Sequence, residues 1–219
     1  MSQDGKRQPR GRRRADVPGG RNALILAAPR FFADHGFEAA GVRAIAEAAK
    51  VAPNLVAVHF GNKEGLWLAC VEYLEQMLAP KLAALTALSR DREVNLRGRL
   101  EQAISMTATY YAQNPDLRGF IARSSLEPPP RGDIIAERLL RPLFEVASPL
   151  IQQGIDAGLI PVADAAMVFV ILNSALSQPD RMASALAILS PGQPVENVSE
   201  RISNAMTELL LRPVPRRKR

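Results

Sequence analysis

The side chains best suited to contact chemistry fall in two places, an arginine-rich start and a short segment in the first third of the chain. Arg10, Arg12, Arg13 and Arg14 stand in the arm MSQDGKRQPRGRRRADVPGG, whose positive charge suits phosphate or minor-groove contact. A solvated, solubilising tail is the other reading of the same residues. Between Pro53 and His59 the order Pro-Asn-Leu-Val-Ala-Val-His combines one amide with apolar side chains. On a helix lying in a DNA major groove, Asn54 can pair with adenine, and Leu55 or Val58 can touch a thymine methyl. Catalysis has no comparable set: no Ser/His/Asp spacing, CxxC, HExxH, P-loop or GxGxxG is present, so no catalytic residue is assigned. With two histidines and one cysteine, neither a metal site nor another cofactor is expected.

Those groove candidates require two short helices to position them. Val42, Ile45, Ala46 and Ala49 recur at i, i+3, i+4 and i+7, one apolar stripe along a two-turn helix. A tight turn follows at Lys50-Val51, and Pro53 suits the first position of a second helix. Two such helices and their turn, residues 41–60, have the dimensions of a helix-turn-helix. A helix pair inside a bundle gives the same pattern, so periodicity leaves DNA binding and plain packing both open.

Composition sets the wider frame. The chain has 219 residues, 47% hydrophobic and only 5% aromatic, which favours an all-α protein with a real core. No run of about 18 apolar residues suggests a membrane span. The basic start lacks an apolar segment after it and Cys70 stands alone, so a cytoplasmic protein with no membrane partner is expected. The net charge of +6 is concentrated at the ends: residues 1–21 hold seven basic side chains against two acidic ones, and residues 212–219 hold five more. The remainder, with 16 basic and 20 acidic residues, is weakly acidic. The Gly, Pro and Arg of the arm give no periodicity, so it is expected to be disordered.

Residue identities go further. The order Phe31-Phe32-Ala33-Asp34-His35-Gly36-Phe37-Glu38-Ala39, then Val42-Arg43-Ala44-Ile45-Ala46-Glu47-Ala48-Ala49, His59-Phe60 and Lys63-Glu64-Gly65-Leu66 resembles the DNA-binding domain of TetR-family transcriptional regulators. The match runs over roughly residues 21–68 without a gap; beyond it the chain resembles the family in helical character and length. The resemblance implies an N-terminal three-helix helix-turn-helix domain and a C-terminal helical domain for ligand binding and dimerisation. It further implies phosphate contacts from His59 and Lys63, and places Arg43 and Pro53 with the groove candidates at the DNA face.

Three positions depart from the pattern. The Thr or Ser that commonly caps the second helix is replaced by Ala40-Gly41, whose bare N–H groups stay available to an anion. Lys50 stands where the turn usually has glycine, at a cost of roughly 1 kcal/mol if the left-handed conformation is kept. Ala57 replaces a tyrosine that commonly meets the DNA backbone. The segment from Asn22 to Leu66 is itself neutral, so the arm is expected to supply much of the affinity.

In chain order, the first helix is expected over Arg21 to His35, with Leu24, Ile25, Ala28, Phe31, Phe32 and His35 facing the core, a kink at Pro29 and a stop at Gly36. A long fourth helix carries Leu66, Cys70, Leu74, Met77, the Lys81 stem and Leu85 on one side, with a bend at Pro80. Trp67 and Tyr73 read as packing residues ahead of ligand contacts. A fifth helix is expected over Val94 to Gln113, and a short helix through Phe120 and Ile121 follows Asn114-Pro115. Glu127-Pro128-Pro129-Pro130-Arg131-Gly132 reads as a rigid extended linker, although ligands of SH3-like domains look similar. Asp133 to Gly158 reads as helix with kinks or a break at Pro142 and Pro149. Two last helices, Ala163 to Gln178 and Pro194 to Leu211, are apolar on more than one face, as burial against a core and a partner subunit requires.

The expected organisation is thus a basic arm (1–20), a helix-turn-helix domain (21–66), a regulatory and dimerisation domain (67–211) and a basic tail (212–219). Candidate cavity residues are Met106, Tyr110, Phe120, Phe144 and Phe169, each of which also suits core packing. Candidate dimer residues are Phe169, Leu172, Ile202, Met206 and Leu209. The expected function is a ligand-responsive homodimeric repressor. Its partners would be a palindromic DNA duplex, whose half-sites lie about 34 Å apart, and an unidentified small molecule. The alternative is a nucleoid-type or RNA-binding protein that uses its basic tails on any polyanion.

Overall fold

The computed structural model describes residues 19–192 and 196–211, apart from the side chains of residues 180 and 181. The arm residues Arg10, Arg12, Arg13 and Arg14 and the tail at 212–219 lie outside the described residues. All regular structure among the described residues is helical.

The first helix, α1 (Gly20–Ala39), buries Leu24, Ile25, Ala28 and Phe32, the expected stripe. His35 is exposed instead, with Nδ1 3.1 Å from the Phe31 carbonyl. The backbone runs through Pro29 without leaving helical geometry, contrary to the expected kink. The break falls at Gly36, which at φ +75° takes a conformation costly for any side chain.

In α2 (Val42–Ala48), Ile45 and Ala46 are fully buried and Val42 and Ala49 are half-buried, which reproduces the sequence stripe. Lys50 adopts φ +55° in the turn, so the left-handed geometry is kept without glycine. Helix α3 (Asn54–Phe60) follows, with Pro53 at its cap position. The next turn depends on Gly65: a Cβ there would lie 2.0 Å from the Phe60 carbonyl oxygen.

Helix α4 (Lys63–Arg90) is capped by Asn62, whose Oδ1 accepts from the Gly65 N–H at 2.8 Å. It continues through Pro80 for 28 residues and links the first three helices to the rest of the chain. Helices α5 (Leu96–Gln113) and α6 (Pro115–Ser124) follow, with Asn95 capping the first and Pro115 opening the second. The Pro-rich segment is a compact turn, not an extended linker: the Arg131 N–H donates to the Pro128 carbonyl at 3.2 Å. The backbone packs closely across this turn, since a Cβ on Gly132 would approach the Glu127 carbonyl oxygen to 2.4 Å.

From α7 (Arg131–Ile135) the chain passes through one π-helical turn (Ala136–Leu140) into α8 (Arg141–Asp156). Pro142 has no N–H to offer the preceding turn, and the Arg141 N–H reaches back five residues to the Ala136 carbonyl. Helix α9 (Ala165–Leu176) is capped by Asp164, which accepts from Ala166 and Met167. An additional helix, α10 (Pro179–Leu189), stands where only a connection was expected, and α11 (Val198–Leu210) starts later than anticipated.

The largest core is continuous across the boundary near residue 66. Phe120 packs edge-on to Phe32 at 6.1 Å and stacks on Trp67 at 5.8 Å, and all three are fully buried. The first three helices therefore sit on α4 and α6, and their position depends on where those helices lie. A second, smaller core of Leu100, Leu150, Ile151, Ile160, Val168 and Leu211 forms among α5, α8, α9 and the end of α11, with Phe169 and Leu172 packed against both cores.

Candidate nucleic-acid interface and apolar cavity

Burial divides α3 sharply. Leu55 and Val56 are 3% and 2% exposed, whereas Val58 is 58% exposed and Pro53, Asn54 and Ala57 are also on the outside. Leu55 is therefore withdrawn from the groove candidates: its Cδ1 packs on the start of α1, 3.2 Å from where a Cβ on Gly20 would stand. The outward surface has one amide, Asn54, framed by Pro53, Ala57 and Val58. Arg43 is exposed on α2 and Lys50 on the turn between α2 and α3.

Two residues expected at phosphate are committed inward. His59 is half-buried, and its Nε2 is enclosed against Gly20 with no hydrogen-bond partner. Lys63 Nζ donates to the carbonyls of Phe37 at 2.8 Å and Glu38 at 3.0 Å and lies 4.6 Å from the Phe37 ring centre. The last carbonyls of α1 have no helical partners, and a cation there satisfies them. Periodicity carried no sign of this bond.

A second arrangement, invisible to sequence spacing, ties the connector to the helix-turn-helix. Arg131 pairs with Glu38 at 3.0 Å, Glu64 at 3.4 Å and Glu127 at 3.6 Å, with its guanidinium carbon 3.9 Å from the Phe37 ring centre. Glu127 also accepts from the Phe37 N–H at 3.0 Å. The three carboxylates come from α1, α4 and the turn before α7, elements far apart in sequence, so no spacing could have marked them.

The most enclosed cavity described lies among α4, α5, α8, α9 and the end of α11, lined mainly by Leu, Ile, Val and Ala. The volume open to the centre of a water-sized sphere is about 70 Å3. Of the expected lining residues only Phe169 reaches it. Phe144 packs against Phe169 at 5.5 Å, and Phe120 belongs to the large core. Met106 and Tyr110 line a separate, more open depression beside Pro80, where the Tyr110 hydroxyl donates to the Met77 carbonyl at 2.7 Å. Lys81 borders both spaces. Its side chain is 6% exposed, its Nζ has no hydrogen-bond partner, and burial brings its ammonium down to about 7.

The expected dimer residues also divide. Phe169 and Leu172 are half-buried and line the cavity, Met206 is half-buried, and Ile202 is 7% exposed within the single chain. Leu209 is 73% exposed, and the outward apolar side chains of α9 are Met167, Val170 and Ile171. In a helix of 12 apolar and small residues, both faces read alike until packing assigns them. Among the described residues, no helix is long and apolar enough to cross a membrane and no cluster of potential metal ligands occurs.

Residues 24–70 match the family described as bacterial regulatory proteins, tetR family. The HTH-type transcriptional regulatory protein RaaS of Mycobacterium tuberculosis is 33% identical over 130 residues, 59% of this chain and 54% of that protein. The match thus spans about half the length of that relative. Among solved structures, the hemolysin II transcriptional regulator HlyIIR superposes with a TM-score of 0.62 at 19% identity, covering 86% of this chain and 97% of that one. The TetR-family regulator PfmR from Thermus thermophilus gives the same TM-score and identity over 90% and 97% of the two chains. At such identity the likeness is one of fold.

Proposed function

We propose, for a chain that belongs to the TetR family of bacterial transcriptional regulators, a homodimeric repressor released from its operator by a small molecule. The observation that carries the DNA-binding half is the exposed surface of α3, where Asn54 and Val58 project from a helix anchored by Leu55 and Val56. In this reading residues 21–66 form the reader. Asn54 reads a base edge, Val58 meets a thymine methyl, and Arg43, Lys50 and the arm arginines meet phosphates. Residues 67–211 form the regulatory body. Two such bodies pair through the apolar outer face of α9 (Met167, Val170, Ile171) and Leu209 of α11, which sets the readers one helical turn apart.

The effector half rests on the position of the cavity. It borders α4, the continuous helix whose first turn carries the reader. A ligand that fills it displaces α4 relative to α5, α8 and α9. The shared core around Phe120 and the Arg131 cluster transmit that displacement to α1. The change in reader spacing costs one half-site its groove contacts, which links ligand binding to DNA release.

Selection of duplexes from a random pool at physiological salt tests the reading. A recovered palindrome with half-sites about 34 Å apart supports it. Binding without a motif, lost steeply as salt rises, favours the alternative of tail-driven, sequence-independent binding.

A further inference from the structure

Resting on the reading of the cavity as the effector site, we infer that its ligand is a slender monocarboxylate, an unbranched alkyl chain whose carboxylate pairs with Lys81 Nζ. Hydrogen-bond satisfaction singles out this amine. Of the polar side chains at the cavity wall, Thr107 donates to the Ala103 carbonyl at 2.8 Å and Tyr111 donates to Asn173 Oδ1 at 2.6 Å. Both hydroxyls are thus committed. Lys81 Nζ is enclosed and has no partner, and no ion pair among the described residues includes it.

An enclosed amine with three donor positions and no acceptor is costly unless something completes it. Nζ lies over the rings of Tyr110 and Tyr111, 5.1 and 5.2 Å from their centres, and burial raises both phenols above their ordinary value. They present the negative faces of their rings, which tolerate an ammonium without neutralising it. A carboxylate at Nζ supplies the missing acceptor and the missing charge together.

The remaining lining is mainly aliphatic, with Phe169 and Asn173 the exceptions, and the free space is small, so the rest of the ligand is apolar and narrow. One lysine balances one negative charge. A phosphate dianion would leave a buried charge uncompensated, which favours the carboxylate. Lys81 also borders the open depression beside Pro80, which gives the headgroup a way in.

The test uses full-length protein without DNA, titrated calorimetrically at pH 8 with octanoate and, separately, with octan-1-ol. Wild type is expected to bind octanoate at least tenfold more tightly than the alcohol. It should take up close to one proton per site as the amine, largely neutral at that pH, becomes charged. In Lys81→Met the preference should reverse. Equal affinities, undiminished octanoate binding by the variant, or no octanoate binding by wild type at millimolar concentration would each overturn the inference. Proton uptake is read on wild type, so the test survives a variant that folds poorly. Operator binding measured separately by anisotropy keeps a failed ligand assignment distinct from a failed regulator assignment.

Discussion

The Arg131 guanidinium lies over the Phe37 ring, its central carbon 3.9 Å from the ring centre, and so fastens the start of α7 to the end of α1. The same guanidinium pairs with carboxylates of α1, α4 and the Pro-rich turn, so one side chain ties α7 to the N-terminal helices. Its side chain is 15% exposed, a setting in which charge-assisted bonds are worth more than at an open surface.

Replacing this residue should therefore loosen the two parts together. Arg131→Ala is expected to destabilise the protein by about 1 to 3 kcal/mol in urea unfolding, since Glu127 loses its partner while still bonded to Phe37. It should also weaken the response of DNA binding to effector more than DNA binding itself. An unchanged urea midpoint would remove Arg131 from the coupling.

Lys50 holds φ +55° in the turn between α2 and α3, a conformation that glycine enters freely. Lys50→Gly should relieve about 1 kcal/mol of backbone strain, offset in part by the greater freedom of glycine in the unfolded chain. A small rise in the urea midpoint with weaker binding to all duplexes would show that the lysine is kept for phosphate contact. A fall in stability would mean that the turn is not strained.

The division of α3 gives a contrast between neighbours. Leu55→Ala empties a buried position and should cost about 2 to 5 kcal/mol of stability. Asn54→Ala should leave the urea midpoint nearly unchanged and reduce discrimination between operator and random duplex by about 1 to 3 kcal/mol. Equal loss on both duplexes would move Asn54 to a backbone role.

Lys81 makes stability depend on pH. Its ammonium titrates near 7 in the folded protein against an ordinary value of 10.5, so between these values the unfolded chain binds the proton more strongly. Stability should rise with pH from 7 toward 9.5, by at most about 1.4 kcal/mol per unit, and should lack this slope below 7, where the amine is charged in both states. The window stops there because Tyr110 and Tyr111, held protonated by burial, oppose the trend once unfolded tyrosines ionise. Lys81→Met should be more stable than wild type at pH 7 and lose the slope, as thermal scans across this range would reveal.

The parts legible in the sequence were those where one helix face decides burial. Val42, Ile45, Ala46 and Ala49 mark the inner side of α2, and Leu24, Ala28 and Phe32 that of α1, because a 3.6-residue repeat against one core leaves a single solution. Leu55 was misplaced because a seven-residue helix has too few turns to separate two adjacent apolar stripes. Lys63 and Arg131 were unreadable for another reason: their partners are backbone carbonyls and carboxylates brought close only by folding. The cavity was missed because Phe120 and Tyr110 are used in other packing, and the lining is drawn from aliphatic residues of five helices. The Lys81 stem was visible on its stripe, but the isolation of its amine is a property of the packed state alone.

The most direct test of the DNA reader is quantitative binding of full-length protein to the selected duplex and to a scrambled one, with stoichiometry from sedimentation. Two protomers per duplex and an affinity ratio of roughly 10³ or more at physiological salt are predicted. A ratio near one, with a steep loss of binding as salt rises, would contradict the reader assigned to Asn54 and Val58.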